Sequence, residues 1–295
     1  MSRTAALSIA GAKHPMNPDW TLLVIGAGNM GGALIEALLR ARVVSPARLA
    51  IAEPDEARCK VWQEREIAAF PKALTAIGWL RRHEPETGAG QVMLAVKPQM
   101  LASLAAEIAP GWEGPRTVIS ILAGTPTARV MGLLPGSRVV RAMPNLPAKL
   151  GEGCTALCRG EGVTPDDAAL ARAIFEAAGP EVVQIPEAML DAFTALAGSG
   201  PAYVFYLAEA MERAAAEMGF EARAARRIVR QTLLGAARML DETDPAGQRT
   251  AVTSKGGTTQ AATTVLDEAG VQAAFVRAIL AGRDRGGELA KMQGE

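Results

Sequence analysis

The feature that most constrains this chain is a glycine-rich turn between an apolar run and a helical stretch. In TLLVIGAGNMGGALIEALLR, Gly26, Gly28 and Gly31 have G-x-G-x-x-G spacing. The first glycine allows a tight turn, the second lets the backbone approach a pyrophosphate, and the third lets helix and strand pack closely. The spacing alone is a weak signal, but a strand precedes it and a helix follows it. These observations predict a dinucleotide site formed by Gly26, Ala27, Gly28, Asn29, Met30 and Gly31.

The rest of the chain shows two different patterns of secondary structure. From Thr21 to Pro186, short β-rich runs alternate with helical stretches, which is typical of buried parallel strands separated by helices. After Pro186 the chain is almost wholly helical in pattern. We therefore expect a tail over residues 1–20, a nucleotide-binding α/β domain over 21–185 and a helical domain over 186–295. The β-rich runs are TLLVIG, RLAIAEP, QVMLAVKP, RTVISILAG, SRVVRAMP, CTALC and EVVQI.

Charge and hydropathy limit the kinds of partner that the chain is expected to bind. Lys plus Arg and Asp plus Glu both number 31, so no net charge attracts nucleic acid or an anionic membrane surface. No stretch of eighteen residues is both apolar and free of charged side chains, as a membrane-spanning helix would be. The first twenty residues resemble a secretory signal only weakly. We expect a cytoplasmic protein with small-molecule partners, and neither nucleic acid nor membrane as a partner.

The cysteines and histidines argue against two kinds of site. Cys59, Cys154 and Cys158 are too few for a disulfide framework, and no second pair completes a zinc site, so no metal is expected. The two histidines, His14 and His83, lie in a tail and in a polar run. Mechanisms that need a Ser/His or Cys/His pair are therefore disfavoured.

Two amphipathic stretches in the second half indicate association. Residues 201–218 and 221–240 carry apolar side chains at helical spacing. A helix as long as the second spans about 30 Å. Such a helix in so small a domain needs a partner to cover its apolar face, so we expect a homo-oligomer.

A second glycine-rich loop, SKGGTTQAATTVL from Ser254, leads into another helical stretch. Paired glycines followed by a helix start suit a bound anion. An ordinary turn with a helix cap explains the same residues equally well. Lys255 precedes the glycines, so the spacing of a phosphate-binding P-loop is not met.

Glu53, at the end of the second β-rich run, bears on the choice of cofactor. A carboxylate there accepts hydrogen bonds from the adenosine ribose hydroxyls and repels a 2′-phosphate, which favours NADH. An exposed glutamate near a helix cap is an equal alternative, and Arg58 one turn away could receive a phosphate. NADH and NADPH both stay open at this point.

Three more loops, AVKPQ, SILAG and RAMPNLP, follow β-rich runs, where ligands bind in open α/β sheets. With these stretches in view, the chain resembles the pyrroline-5-carboxylate reductase family from Thr21 onward. The motifs VIGAGNMGGAL, LAVKPQ, VVRAMPNLP, DAFTALAGSGPAYVFYLAEAM and VTSKGGTTQAATTVLDEAG stand in that family's order and spacing.

The resemblance implies a fold and an activity. The fold is a Rossmann-like doubly wound sheet followed by an all-α dimerisation domain, with C-terminal helices like those of 6-phosphogluconate dehydrogenase. The activity is the NAD(P)H-dependent reduction of 1-pyrroline-5-carboxylate to L-proline, the last step of proline biosynthesis. The family's usual cofactor is NADPH, and the family often has a Ser or Arg suited to a 2′-phosphate near the position of Glu53.

The resemblance also implies residue roles. Gly26 to Gly31 would hold the pyrophosphate, and Thr259 would hydrogen-bond the ring nitrogen and relay its proton. Lys97 is the second candidate catalytic residue. The nicotinamide half would be lined by Ala95, Val96, Lys97, Pro98, Ala123 and Gly124. The substrate would be held by Ser254, Gly256, Gly257, Thr258 and Thr259 and bordered by Asn145 and Glu242.

Three alternatives remain beside this reading. A β-hydroxyacid dehydrogenase would place a lysine in the stretch AGSGPAYVFYLAEAM from Ala197, which has none. A non-catalytic nucleotide-binding module would need the first glycine-rich loop but not the loop at Ser254. A broader cyclic-imine reductase would share every motif and differ in ring size. The family pattern also departs at Leu146, usually Thr, and at Ala251, often Asn.

Overall fold

The structure of the protein, a computed structural model, describes residues 20–84, 90–113, 115–240 and 244–294. These residues form two compact units. The first comprises the described residues up to Gly198 together with those from Arg285, and the second comprises Ser199–Asp284.

An eight-stranded sheet forms the centre of the first unit, with the order β3-β2-β1-β4-β5-β6-β7-β8. The order β3-β2-β1-β4-β5-β6 is that of a Rossmann sheet, with its switch point between β1 and β4. Neighbouring strands are parallel except β6 and β7. The strands are β1 (Thr21–Ile25), β2 (Leu49–Ala52), β3 (Ala68–Phe70), β4 (Gly90–Leu94), β5 (Arg116–Ser120), β6 (Ser137–Pro144), β7 (Cys154–Arg159) and β8 (Glu181–Gln184).

All seven β-rich runs predicted from the sequence are strands, and β3 is an additional one. The expectation of uniformly parallel strands is wrong at one place, because β7 runs antiparallel to β6. Only residues 145–153 separate these two strands. A parallel crossover needs about a dozen residues or more, so this connection can only reverse the chain.

Helices cover both faces of the sheet, so the side chains that point to either face of a strand are buried. In β1, Leu22 and Val24 belong to one apolar core, and Leu23 and Ile25 belong to the other. Burial on both faces explains why the strands are continuous apolar runs and not alternating ones. The helices of this unit are α1 (Asn29–Arg40), α2 (Glu56–Gln63), α3 (Ala73–His83), α4 (Leu101–Ile108), α5 (Thr127–Leu133), α6 (Pro165–Ala178) and α7 (Leu190–Phe193).

A buried carboxylate links α6 to the sheet. Asp167 accepts hydrogen bonds from Arg138 at 2.7 Å and from the Thr117 hydroxyl at 2.6 Å. It also forms a capping box with Thr164 at the start of the helix. Burial alone would raise the pKa of Asp167, but these hydrogen bonds outweigh burial and hold its pKa far below the usual range.

The second unit is helical and buries few of its side chains. Its helices are α8 (Gly200–Glu217), α9 (Ala222–Met239), α10 (Pro245–Ala251), α11 (Thr258–Glu268) and α12 (Val271–Gly294), the last of which continues past Asp284. Of the described residues in Ser199–Asp284, only Ala215, Ala225 and Val229 are buried. Exposed large apolar side chains include Val204, Phe205, Tyr206, Leu207, Met218, Phe220, Ile228, Leu234, Val265, Leu266, Phe275 and Val276. The apolar faces predicted from the sequence are therefore left uncovered within one chain.

Within the described parts of the chain, no helix is both long enough and apolar enough to cross a bilayer.

Candidate active site

The first glycine-rich turn joins β1 to α1 at the carboxyl edge of the sheet. Gly26 has a φ of +99°, and a Cβ on it would lie 2.7 Å from the carbonyl oxygen of Ala95. A Cβ on Gly31 would lie 2.1 Å from the carbonyl oxygen of Gly26. Gly28 differs, because a Cβ there would meet nothing within 4 Å. The outer two glycines are thus required by packing, whereas the space over Gly28 and the helix start at Asn29 is open for a phosphate.

Glu53 is buried beside this turn, with 6% of its surface exposed. Its Oε2 accepts the N–H of Ala27 at 2.9 Å, and its Oε1 accepts the N–H of Asp55 at 3.2 Å. The alternative of an exposed glutamate is therefore wrong. The carboxylate is hydrogen-bonded to the glycine-rich turn.

The loops after β4 and β5 continue the same edge. The N–H of Ala95 bonds the carbonyl of Ile25 at 2.8 Å, so Ala95, Val96, Lys97 and Pro98 start directly beside the glycine-rich turn. Next to them, the N–H of Ile121 bonds the carbonyl of Leu94 at 3.1 Å, at the start of the segment that carries Ala123 and Gly124. Lys97 is exposed, and its ammonium has no ion-pair partner within the described ranges.

Asn145, predicted to border the substrate, uses both ends of its amide inside the first unit. Nδ2 donates to the carbonyl of Ala197 at 3.1 Å, and Oδ1 accepts the N–H of Cys154 at 2.9 Å. The side chain is 8% exposed. It ties the end of β6 to the start of β7 and to the turn Thr194–Gly198. This geometry fits a residue that positions neighbouring backbone.

The second glycine-rich loop lies in the second unit and precedes α11, as the sequence predicts. Gly256 has a φ of +73°, and its N–H donates to Oε1 of Gln260 at 2.5 Å. The N–H of Gly257 donates to the carbonyl of Ser254 at 3.1 Å. Both glycine N–H groups are therefore occupied. Within the described ranges, the N–H groups that bind no acceptor are those at the start of α11, beginning with that of Thr258.

Three hydroxyl side chains surround this helix start. Ser254 lies so close to Gly257 that a Cβ on the glycine would fall 2.4 Å from its Oγ. Thr259 is half-buried, and the described residues provide its hydroxyl with no hydrogen-bond partner. Thr258 is exposed. Donors of this kind suit an anion and a second polar atom next to it.

Two further residues concern the site: one that was predicted from the sequence and one that was missed. Glu242 lies outside the described residues. Glu187 was not singled out by any sequence motif, yet its carboxylate binds Thr127 and Arg141 near the carboxyl end of β5, at the sheet edge that carries the first glycine-rich turn. The only available signal would have been its place just before a predicted helix, which does not identify its partners.

A Rossmann strand order with a glycine-rich turn at its switch point, followed by a helical unit, defines a class of protein: a dinucleotide-binding protein. Residues 187–289 match the family model for pyrroline-5-carboxylate reductase dimerisation, and residues 21–124 match that for NADP oxidoreductase, coenzyme F420-dependent. A pyrroline-5-carboxylate reductase of Synechocystis sp. is 37% identical over 91% of this chain and 97% of its own length. The chain belongs to the pyrroline-5-carboxylate reductase family.

Other relatives agree. The reductase of Methanosarcina acetivorans is 37% identical over 90% of this chain and 97% of its own length. The solved reductase of Coxiella burnetii superposes with a TM-score of 0.79 at 32% identity, covering 92% of this chain and 99% of that one. The Plasmodium falciparum pyrroline carboxylate reductase with NADP bound has a TM-score of 0.80 at 23% identity and covers 94% of this chain and 100% of that one, which shows the shared fold.

These findings confirm the resemblance, the fold class, the oxidoreductase assignment and the use of a nicotinamide dinucleotide. The match to the dimerisation model also supports a homo-oligomer. The domain boundary at residue 185 and the roles of the individual site residues stay predictions.

Proposed function

We propose that this chain reduces 1-pyrroline-5-carboxylate to L-proline with NAD(P)H, the final step of proline biosynthesis. The observation that carries the proposal is the start of α11 in a chain of this family. The N–H groups of Thr258 and Thr259 and the hydroxyl of Thr259 have no partner among the described residues. This helix start offers donors for both the carboxylate and the ring nitrogen of the substrate.

The reaction needs few catalytic side chains. The substrate is a five-membered cyclic imine that bears a carboxylate, and its reduction needs a hydride on the imine carbon and a proton on nitrogen. When bound, the dihydronicotinamide supplies the hydride. The protein has to hold the imine carbon at about 3 to 3.5 Å from the reactive carbon of the cofactor and keep the imine protonated. That task requires no histidine.

We assign the substrate carboxylate to the N–H groups of Thr258 and Thr259 and to the hydroxyl of Ser254. The positive end of the α11 dipole adds to these hydrogen bonds. Gly256 and Gly257 serve this site through the shape of the loop, because their own N–H groups already bind Gln260 and Ser254. The second glycine-rich loop thus holds a carboxylate, and the plain helix cap is the weaker explanation.

We assign the ring nitrogen to the hydroxyl of Thr259. An alkyl hydroxyl is a poor acid, so Thr259 relays to the ring nitrogen the one proton that water supplies, and its oxygen then accepts a hydrogen bond from the N–H of the protonated imine. Lys97 is the charged member of the set proposed for the nicotinamide half, and its ammonium, which no described carboxylate pairs with, makes it the second catalytic candidate. Its exposed position also suits a counter-charge for the cofactor.

For the cofactor we propose a preference for NADH over NADPH. Glu53 is buried next to Ala27, so its negative charge is fixed beside the loop that receives the adenosine half. A 2′-phosphate at that place meets like charge, whereas a ribose hydroxyl meets an acceptor. Arg58, the alternative phosphate partner, lies 3.6 Å from Asp55 in an exposed ion pair.

We propose a cytoplasmic homodimer, or a larger oligomer built on dimers. The support is the set of large apolar side chains that α8, α9 and α11 leave exposed, since apolar helix faces left uncovered in one chain mark association surfaces.

The test is a spectrophotometric assay of NADH and NADPH oxidation with 1-pyrroline-5-carboxylate, run beside its six-membered homologue. We expect turnover of the five-membered imine with both cofactors and a higher kcat/KM with NADH. Turnover of a β-hydroxy acid instead would establish the dehydrogenase alternative. Tight cofactor binding without turnover of any imine would establish a non-catalytic nucleotide-binding module.

A further inference from the structure

A carboxylate outside the proposed catalytic set holds the start of α5. Glu187 Oε1 accepts the N–H of Thr127 at 2.8 Å, and Oε2 accepts the Thr127 hydroxyl at 2.7 Å. Thr127 is the first residue of α5, so this side chain caps the helix from sixty residues away along the chain. Two bonds from one residue to one carboxylate fix both the position and the direction of the helix start.

The same carboxylate is anchored to the sheet. Oε1 of Glu187 also accepts Nη1 of Arg141 at 3.0 Å. Arg141 is 7% exposed and lies in β6 opposite Ser120, the last residue of β5. The segment 121–126 connects Ser120, the end of β5, to Thr127, the start of α5. Arg141 lies beside Ser120, at the first end of this segment. Glu187 binds both Arg141 and Thr127, the residue at the second end.

Both ends of this six-residue segment are therefore held relative to each other. Between them, Ala123 is exposed and Gly124 has a φ of +66°. A short segment with two fixed ends has few conformations available, so the anchors determine where Ala123 and Gly124 lie. If Glu187 released Thr127, the start of α5 would lose both bonds to this carboxylate, whereas Leu122 would stay packed in the core.

The charge on Glu187 is part of the arrangement. Burial alone would raise its pKa, but the hydrogen bonds from Thr127 and Arg141 outweigh burial and lower the pKa. The side chain is thus ionised at neutral pH. A neutral replacement would leave the buried guanidinium of Arg141 without its counter-charge, which is strongly unfavourable.

We propose that Glu187 is a positioning residue for the nicotinamide half of the cofactor. It acts through Thr127 and Arg141, which place Ala123 and Gly124, and it touches neither cofactor nor substrate. The inference rests on the proposed function, in which Ala123 and Gly124 line the nicotinamide.

The test compares a whole cofactor with a fragment. Glu187→Gln and Thr127→Val are each titrated with NADH, with NADPH and with ADP-ribose, which lacks the nicotinamide. We expect the Kd of NADH and NADPH to rise about five- to twentyfold and that of ADP-ribose to change less than about twofold. Thr127→Ser keeps the hydroxyl and should restore the Kd of the wild type.

The matched control is Asp167→Asn. Asp167 is also a buried carboxylate bound to a threonine and an arginine, but Thr117 and Arg138 lie at the starting ends of β5 and β6. Asp167→Asn should have a lower Tm than the wild type, with unchanged Kd values for NADH, NADPH and ADP-ribose. If Glu187→Gln does not fold, Thr127→Val carries the test.

Two results would overturn the inference. One is a wild-type Kd for NADH and NADPH in the folded variants. The other is an equal loss of affinity for ADP-ribose, which would mean a general disturbance of the first unit. Failure of the proposed function is separate, because it would appear as a wild-type protein that does not reduce 1-pyrroline-5-carboxylate, whatever the variants bind.

Discussion

Ala27 donates its backbone N–H to Oε2 of Glu53 at 2.9 Å, across 26 residues of sequence. This single bond joins the glycine-rich turn to the residue that follows β2. The carboxylate therefore does two things at once: it holds the turn in place and puts a buried negative charge beside it. These two effects can be separated by substitution.

Replacing Glu53 tests the cofactor preference. Glu53→Gln keeps an oxygen that accepts the Ala27 N–H but removes the charge, and Glu53→Ser removes both. We expect both variants to raise the ratio of kcat/KM for NADPH to that for NADH, by about tenfold or more. Steady-state kinetics with each cofactor measures this ratio. An unchanged ratio in both variants would show that the charge of Glu53 plays no part in the choice.

The glycines of the first turn should respond differently to the same change. Gly31→Ala places a Cβ 2.1 Å from the Gly26 carbonyl oxygen, so we expect a large loss of stability, about 2 kcal/mol or more. Gly28→Ala meets no protein atom within 4 Å, so it should fold normally and bind NADH and NADPH at least about tenfold more weakly. Thermal melts and cofactor titrations distinguish the two. Wild-type cofactor affinity in Gly28→Ala would place the pyrophosphate elsewhere.

Thr259 carries the prediction about the proton. Thr259→Val removes the hydroxyl at nearly constant volume and should lower kcat/KM by about one to three decades, as expected for a positioned proton donor. Thr259→Ser should recover much of the loss. The Tm of both variants should stay close to that of the wild type, because the hydroxyl has no partner among the described residues. Wild-type kinetics in Thr259→Val would remove the role.

The ion pair of buried Asp167 and half-buried Arg138 predicts a pH dependence of stability. The pKa of Asp167 is lower in the folded chain than its ordinary value of 3.8, so its contribution is complete above that value and declines as the pH falls below it. Asp167→Asn should lower the free energy of unfolding by about 2 to 4 kcal/mol at neutral pH. The difference from the wild type should shrink below about pH 4. Urea unfolding at neutral and acid pH checks this, and an equal difference at both would contradict it.

Local patterns and distant contacts were not equally predictable. The turn at Gly26 and the start of α11 were predictable because their geometry comes from neighbouring residues. β3 was missed because Ala68–Phe70 is short and carries no alternating pattern. The capping of Thr127 by Glu187 joins residues sixty apart, and no local pattern marks such a pair. The occupation of the Gly256 N–H depends on the side-chain conformation of Gln260, which only coordinates reveal.

The near absence of buried side chains in Ser199–Asp284 has a consequence for how the chain melts. A unit with so little interior of its own draws most of its folding free energy from the copy it associates with, and that part follows the law of mass action. We therefore expect calorimetry to show two transitions. The one from the helical unit should move to lower temperature on serial dilution, whereas the one from the sheet should stay in place.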